Sequence, residues 1–358
     1  MVREGLVKAG VVLIALGVVL LAAPDLLAYR ASYPLAVACM GLAIVGLGAA
    51  MAVAPRGVVL ALKALASALV VASLVLIVLG VVGAPLALIF PLGPERSFSY
   101  ATSGPLEDRV VRVEIRNSLG KTSVAAWEED EYAVNVTLRV YALTREHAER
   151  AAEAHEPRVV VERADGKTVI RVELDYRVEF PAFITYDVAV MLPKWASVEL
   201  ALLTTTGEIE VDGLRVSEAT LRATTGRVVL EGVVAGTLNA TATTGEIEAV
   251  LDAERASFSV TTGEVSVRIV GNASGEYVLA ATTGEISVEV PDRPDVGVEL
   301  VAESTLGSVD YPSYWIAEVE RGAISSKVVA RTPNFEEAEI KIVLRAKVTT
   351  GEVEVAQG

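Results

Sequence analysis

The residues with the clearest chemical potential are carboxylates at a fixed place in a recurring word. The words are "TTGEIEV" at Thr205, "TTGRVVL" at Thr224, "TTGEIEA" at Thr243, "TTGEVSV" at Thr261, "TTGEISV" at Thr282 and "TTGEVEV" at Thr349. The residue after the glycine is Glu208, Arg227, Glu246, Glu264, Glu285 and Glu352. Glu246, Glu264 and Glu285 run without an intervening base, and hard divalent cations take several carboxylate oxygens. The simpler reading, and the favoured one, is an exposed acidic edge that aids solubility and discourages lateral pairing. Arg227 sits between two acids, Glu208 and Glu246, and is placed to pair with both.

Other chemistry is sparse. No zinc-protease, nucleophile-elbow or phosphate-loop word occurs in the chain. His147 and His155 share a polar helical segment, eight residues or roughly 12 Å apart along its axis, which reads as two surface histidines. Asp212, Asp252 and Asp292 fall at differing offsets from the repeat, unlike the clustered acids of a solenoid lyase. No enzyme and no organic cofactor is expected.

The elements that would position these residues follow from the repeat. Gly207, Gly226, Gly245, Gly263 and Gly284 recur at steps of 18 to 21 residues. "STLGSV" places Gly307 another 23 on, and Gly351 restates the pattern near the C-terminus. Self-similarity near period 20 indicates a solenoid. Around each glycine the apolar columns alternate with polar ones, which is strand periodicity. Five residues before it stand Leu202, Leu221, Ala240, Phe258 and Leu279; two after it stand Ile209, Val228, Ile247, Val265 and Ile286. Each repeat therefore reads as one coil of a β-solenoid, with glycine at the corner for a positive φ. The threonine pairs would stack in rows along the ladder, where their hydroxyls can satisfy one another.

Two regions flank the repeats. Residues 97–201 read as a strand-rich cap with a short helix at Thr144–Pro157, a "DG" hairpin, and an "NSLG" turn that fits a first, irregular coil. Residues 202–358 hold the repeats, with Asp310–Arg345 irregular and suited to closing the far end. Residues 1–96 differ in kind. Leu6–Ala23, Leu35–Ala54 and Val58–Phe90 are long apolar runs, close to the roughly 20 residues that span a bilayer. The first also fits a signal peptide, but two spanning-length runs follow at once, so three transmembrane helices are expected. The fold class is thus N-terminal transmembrane α-helices followed by an all-β solenoid domain with coils of about 20 residues. Gly41, Gly46 and Gly48 suit close helix contacts.

Charge divides the same way. The chain carries -15 in all, and residues 1–96 contribute three more bases than acids, which leaves -18 on the body. An acidic body repels nucleic acid. Basic residues around the apolar runs favour a cytoplasmic N-terminus and second loop, which puts the body outside the cell, on a multi-pass membrane protein. Three of the five asparagines, Asn135, Asn239 and Asn272, stand in N-glycosylation sequons. The single cysteine, Cys39, excludes an intrachain disulfide. Scarce amides beside abundant charge fit a hot environment.

The entry "VMLPKWASVELALLTTTGEIEV" followed by coils of "L-x-A-T-T-G-E-I-x-V" type resembles the putative-adhesin family of unknown function. The resemblance covers roughly Arg109–Gly358. It implies a β-solenoid, often joined to membrane helices, and supplies no catalytic residues. Some members of that family occur beside envelope-stress systems. Two roles are therefore expected: a non-catalytic binding module contacting an envelope polymer or surface protein, or a structural or signalling accessory acting through the membrane helices. Glutamate rather than aspartate after most glycines, and three helices first, depart from the family's common pattern.

Overall fold

The computed structural model describes residues 94–142, 144–176, 183–322 and 324–358. The three expected membrane spans lie outside them. Among the described residues, no helix is long and apolar enough to cross a membrane.

The described chain is a β-solenoid. Strands β2 (Val110–Trp127), β7 (Ser197–Asp212), β8 (Arg215–Ile269) and β9 (Gly275–Val290) pair side by side in parallel. β8 is long because it runs on through the corners marked by Gly226, Gly245 and Gly263. The predicted inner columns are the core: Leu202, Leu221, Ala240, Phe258 and Leu279 are at most 1% exposed. Phe258 stands one coil on from Ala240, so a large side chain fills the space a small one leaves.

The glycine corners have a second cause beyond conformation. Gly226 has φ 139°, a value that side chains disfavour. A Cβ there would also stand 1.8 Å from the carbonyl oxygen of Gly207 in the coil before. Each corner thus presses on the last, which fixes the coils in register.

The first coil comes early. Gly120 in β2 pairs with Gly207, so the "NSLG" turn is a coil of the stack. Behind it stands β6 (Phe183–Pro193), parallel to the second half of β2, then β3 (Glu131–Tyr141) and β1 (Glu95–Pro105), both added antiparallel. The hairpin β4 (Arg158–Ala164) and β5 (Lys167–Glu173) turns at Asp165–Gly166, both with positive φ, and β5 pairs with the first half of β2. Helix α1 (Arg145–Ala154) has Thr144 as its N-cap, and buries Ala148, Ala151 and Ala152. The Glu146–Arg150 pair forms as the sequence indicates.

The other end departs from chain order. β14 (Ile340–Gln357) lies between β9 and β10 (Val296–Leu306), so Gly351 stacks on Gly284, and Gly307 on Gly351. The last copy of the word is therefore not the last coil. β14 carries a complete word and matches β9 from Ile342 to Gln357 through the corner. β10 has the degenerate word, and its pairing with β14 stops at Leu306, with a short β11 (Val309–Asp310) beyond. β13 (Ser326–Arg331) and β12 (Ile316–Arg321) then close the sheet antiparallel. Asp310–Arg345 thus supplies the far cap together with the start of the inserted strand.

Candidate functional site

The acidic column forms as a physical row. Around the corner glycines, the residue after each glycine stacks in the spatial order Lys121, Glu208, Arg227, Glu246, Glu264, Glu285, Glu352 and Ser308. Neighbouring strands lie about 4.8 Å apart. Glu352 joins the row directly after Glu285. Sequence order hides this, because the two stand 67 positions and four other strands apart; the signal was the intact word at Thr349.

The bases in the row each serve two acids, but not as the sequence suggests. Arg227 contacts Glu246 at 3.5 Å and pairs more closely with Glu248, both in the coil that follows. It makes no ion pair with Glu208. Lys121 takes that role, 3.4 Å from Glu208 and 2.7 Å from Glu210. The extended backbone directs each long cation toward the next coil, where two carboxylates flank it.

Beyond Glu248 the row has no base. Glu264, Glu285 and Glu352 form no ion pair among the described residues, although Ser308 Oγ donates to Glu352 at 2.9 Å. The electrostatics follow. The carboxyl of Glu246 is raised above its ordinary value by its hydrogen bond with Glu248, then by burial, with Glu264 adding repulsion. Glu248 is lowered, first by Arg227. Glu352 is raised, chiefly by a shared hydrogen bond with Asp310. Among the described residues, no group of three or more histidine, cysteine, aspartate or glutamate side chains comes together in a form that could hold a metal ion. Glu246, Glu264 and Glu285 are aligned and open to solvent rather than convergent.

The three sequon asparagines, Asn135, Asn239 and Asn272, are all exposed. Asn135 lies in β3 and Asn239 on the outer side of β8, while Asn272 lies in the turn between β8 and β9. The threonine rows face solvent, with Thr205, Thr224, Thr243, Thr261 and Thr282 exposed. No hydrogen bond joins their hydroxyls to one another among the described residues, so stacking of hydroxyls is not what holds the coils. Thr204, one position inward, is 5% exposed and its hydroxyl has no partner.

His155 corrects another expectation. It is 3% exposed, and its Nδ1 lies 3.1 Å from the Asp175 carbonyl. Its own carbonyl accepts from the Tyr186 hydroxyl at 2.7 Å. It caps α1 and joins the helix to the sheet, whereas His147 is exposed as anticipated. Asn117 makes a similar tie at the first coil, donating to the Tyr186 carbonyl at 2.9 Å and to the Thr122 hydroxyl at 3.2 Å.

Residues 185–312 match the family model described as Toastrack DUF4097. The resemblance to a putative-adhesin family holds. The Toastrack match begins inside β6 and ends after β11, so it leaves out the inserted β14. No curated protein matches the chain. Among solved structures, a putative cell adhesion protein from Clostridium sporogenes is similar at 13% identity and TM-score 0.38, over 74% of this chain and all of that one. A putative adhesin from Bacteroides fragilis is similar at 12% identity and TM-score 0.32, over 74% of this chain and 98% of that one. A putative lipid binding protein from Parabacteroides distasonis is similar at 11% identity and TM-score 0.27, over 73% and 97%.

Proposed function

We propose that this chain is a membrane-anchored, extracytoplasmic β-solenoid that acts as a non-catalytic surface-binding module. The observation that carries the reading is the stack itself. Eight corner glycines, from Gly120 to Gly307 in spatial order, hold successive coils in register, which makes a rod about 34 Å long at the strand spacing. Such a rod presents long, regular rows of outward side chains, a geometry suited to extended contact rather than to enclosing a reacting substrate. The apolar runs of residues 1–96 support the anchor, and the loop charges and exposed sequons support an outward-facing body. The adhesin descriptions of the similar structures belong to those proteins, and here they suggest only the class of role.

The test is retention of native cell-envelope components by the full chain in detergent, with calcium and then with EDTA. Retention of a surface polymer or surface protein is the expected result. Loss in EDTA would assign the Glu246–Glu264–Glu285 row a cation. No retention in either condition would overturn the binding role, and would favour an accessory acting through the glycine-bearing second apolar run. Protease access to the body in intact cells checks the outward placement.

A further inference from the structure

Of the three sequon asparagines, one differs from the others in its backbone. Asn135 lies mid-strand in β3, set between Ala101 of β1 and Ala189 of β6. Asn239 lies inside β8, six residues before the corner at Gly245. Along a strand, the asparagine and the Ser or Thr two residues on point to one face, and their backbone is held in the ladder. Asn272 stands in neither position. β8 ends at Ile269 and β9 begins at Gly275, so the whole tripeptide Asn272–Ser274 lies between strands, and it is exposed.

The turn is held from beneath. Asp252 is 5% exposed, and its carboxylate accepts from the backbone N–H of Gly271 at 2.8 Å and of Asn272 at 3.1 Å. Gly271 takes φ 78°, and a Cβ there would lie 2.4 Å from Pro291 Cγ. Arg293 donates to the Gly271 carbonyl at 3.2 Å and reaches Asn272 Oδ1 at 3.5 Å, while Asp295 holds the same guanidinium. These contacts take up the Asn272 N–H and its side-chain oxygen. Its amide nitrogen, Nδ2, makes no hydrogen bond among the described residues. The serine of the sequon is engaged but not spent. Ser274 Oγ accepts from the Lys341 N–H at 2.9 Å, which leaves its own hydrogen to donate.

From this geometry we propose that Asn272 is the attachment site of an N-linked glycan, and that Asn135 and Asn239 are not. The co-reactant is an oligosaccharide carried on a lipid phosphate. Asn272 Nδ2 attacks the anomeric carbon of the first sugar. The new C–N bond forms as the bond from that carbon to the phosphate oxygen breaks. The lipid phosphate leaves with the electron pair, and the nitrogen gives up one proton to a base of the transferring enzyme. An acceptor tripeptide must present its asparagine nitrogen and its Ser or Thr hydroxyl together, which is why used sequons belong to surface loops. Asn272 and Ser274 do so from a turn. In β3 or β8 the same presentation requires ladder bonds on both sides of the strand to open. The proposal rests on the outward placement of the body and adds a covalent modification to it.

The test is glycopeptide mass spectrometry on the full chain isolated from its native membranes. A sugar increment on the Asn272 peptide, and none on the Asn135 and Asn239 peptides, is expected. Asn272→Gln and Ser274→Ala should each lose the increment from the intact chain, and Ser274→Thr should keep it. Asn272 is exposed, so Asn272→Gln leaves folding intact even if Ser274→Ala, which strips the Lys341 N–H of its acceptor, does not. A bare Asn272 peptide overturns the proposal, as does a sugar on Asn135 or Asn239. Protease digestion of intact cells, run on the same culture, separates the site from the placement it rests on. A body open to protease with Asn272 bare overturns the attachment site and keeps the outward placement. A body closed to protease with Asn272 bare overturns both. A modified Asn272 without envelope retention keeps the site and removes the binding role.

Discussion

The two outer faces of the solenoid meet at the same glycine corners, yet they handle charge differently. On the strand before the corner, ion pairs join coils to one another and to the cap strands β5 and β13. Arg345 pairs with Glu276 at 2.8 Å, Arg331 with Glu299 at 2.6 Å, Arg171 with Glu114 at 3.0 Å, and Lys167 with Glu199 at 2.5 Å. On the strand after the corner, Lys121 and Arg227 serve the first coils and Arg268 pairs with Glu289 at 2.6 Å further along the strand, while Glu264, Glu285 and Glu352 beside the corner itself have no base. The difference shows that register is not set by charge. Both faces stack equally well because the shared interior and the corner contacts hold them, and surface pairs add little.

If that comparison is right, the largest effect comes from the frame common to both faces. Gly226→Ala places a methyl 1.8 Å from the Gly207 carbonyl oxygen at φ 139°. It should cost on the order of 3–5 kcal/mol, read as a lowered urea midpoint. Phe258→Ala empties the interior shared by the two faces, and should cost about 3–5 kcal/mol in the same measurement. A smaller loss than 1 kcal/mol for both, on the order set for exposed ion pairs, would show that the faces stand independently.

The next effect distinguishes the faces. Arg227→Gln should destabilise by about 1 kcal/mol, against about 0.3 kcal/mol for Arg345→Gln, both within the range for exposed pairs. Arg227 holds two carboxylates, Glu246 and Glu248, whereas Arg345 relieves Glu276 alone. Equal losses in urea unfolding would erase the contrast. Conversely, Glu264→Lys puts a base where the row lacks one and should raise stability by about 0.5 kcal/mol.

The pH dependence sharpens the same contrast. Glu246 and Glu352 have raised values, so the folded state takes up their protons first, and stability rises as pH falls toward the ordinary 4.5. Glu248 and Glu114 are lowered by Arg227 and Arg171. Their stabilisation is present above 4.5 and is lost as pH falls through their folded values. The thermal midpoint should therefore peak near pH 4.5 rather than at neutrality. Glu352→Gln should flatten the limb above the peak, while Glu248→Gln should flatten the limb below it.

Much of this body is legible in its residues. Period-two alternation fixes strands, and the recurring glycine fixes where they turn. The columns at Leu202 and Ile209 become the core because side-chain direction along a strand alternates without choice. The Thr144 cap, the Glu146–Arg150 pair and the Asp165–Gly166 turn were equally local, since each involves neighbours within four residues. His155 was misread because its burial depends on Tyr186 and Asp175, which sequence spacing does not bring near. The direction in which Arg227 pairs was also hidden, because two coils offered acids and only backbone orientation chose between them.

By itself, then, the sequence determined a stack of coils, their interior, and an acidic row on one side. The tertiary structure decided the order of the stack. Each word can pair with any other word, so local pattern leaves the neighbours of β14 open. What places it between β9 and β10 is the completeness of its ladder with β9 and the closure of β10 by β13. The same insertion sets Glu352 against Glu285, and places β10 with the far cap beyond it.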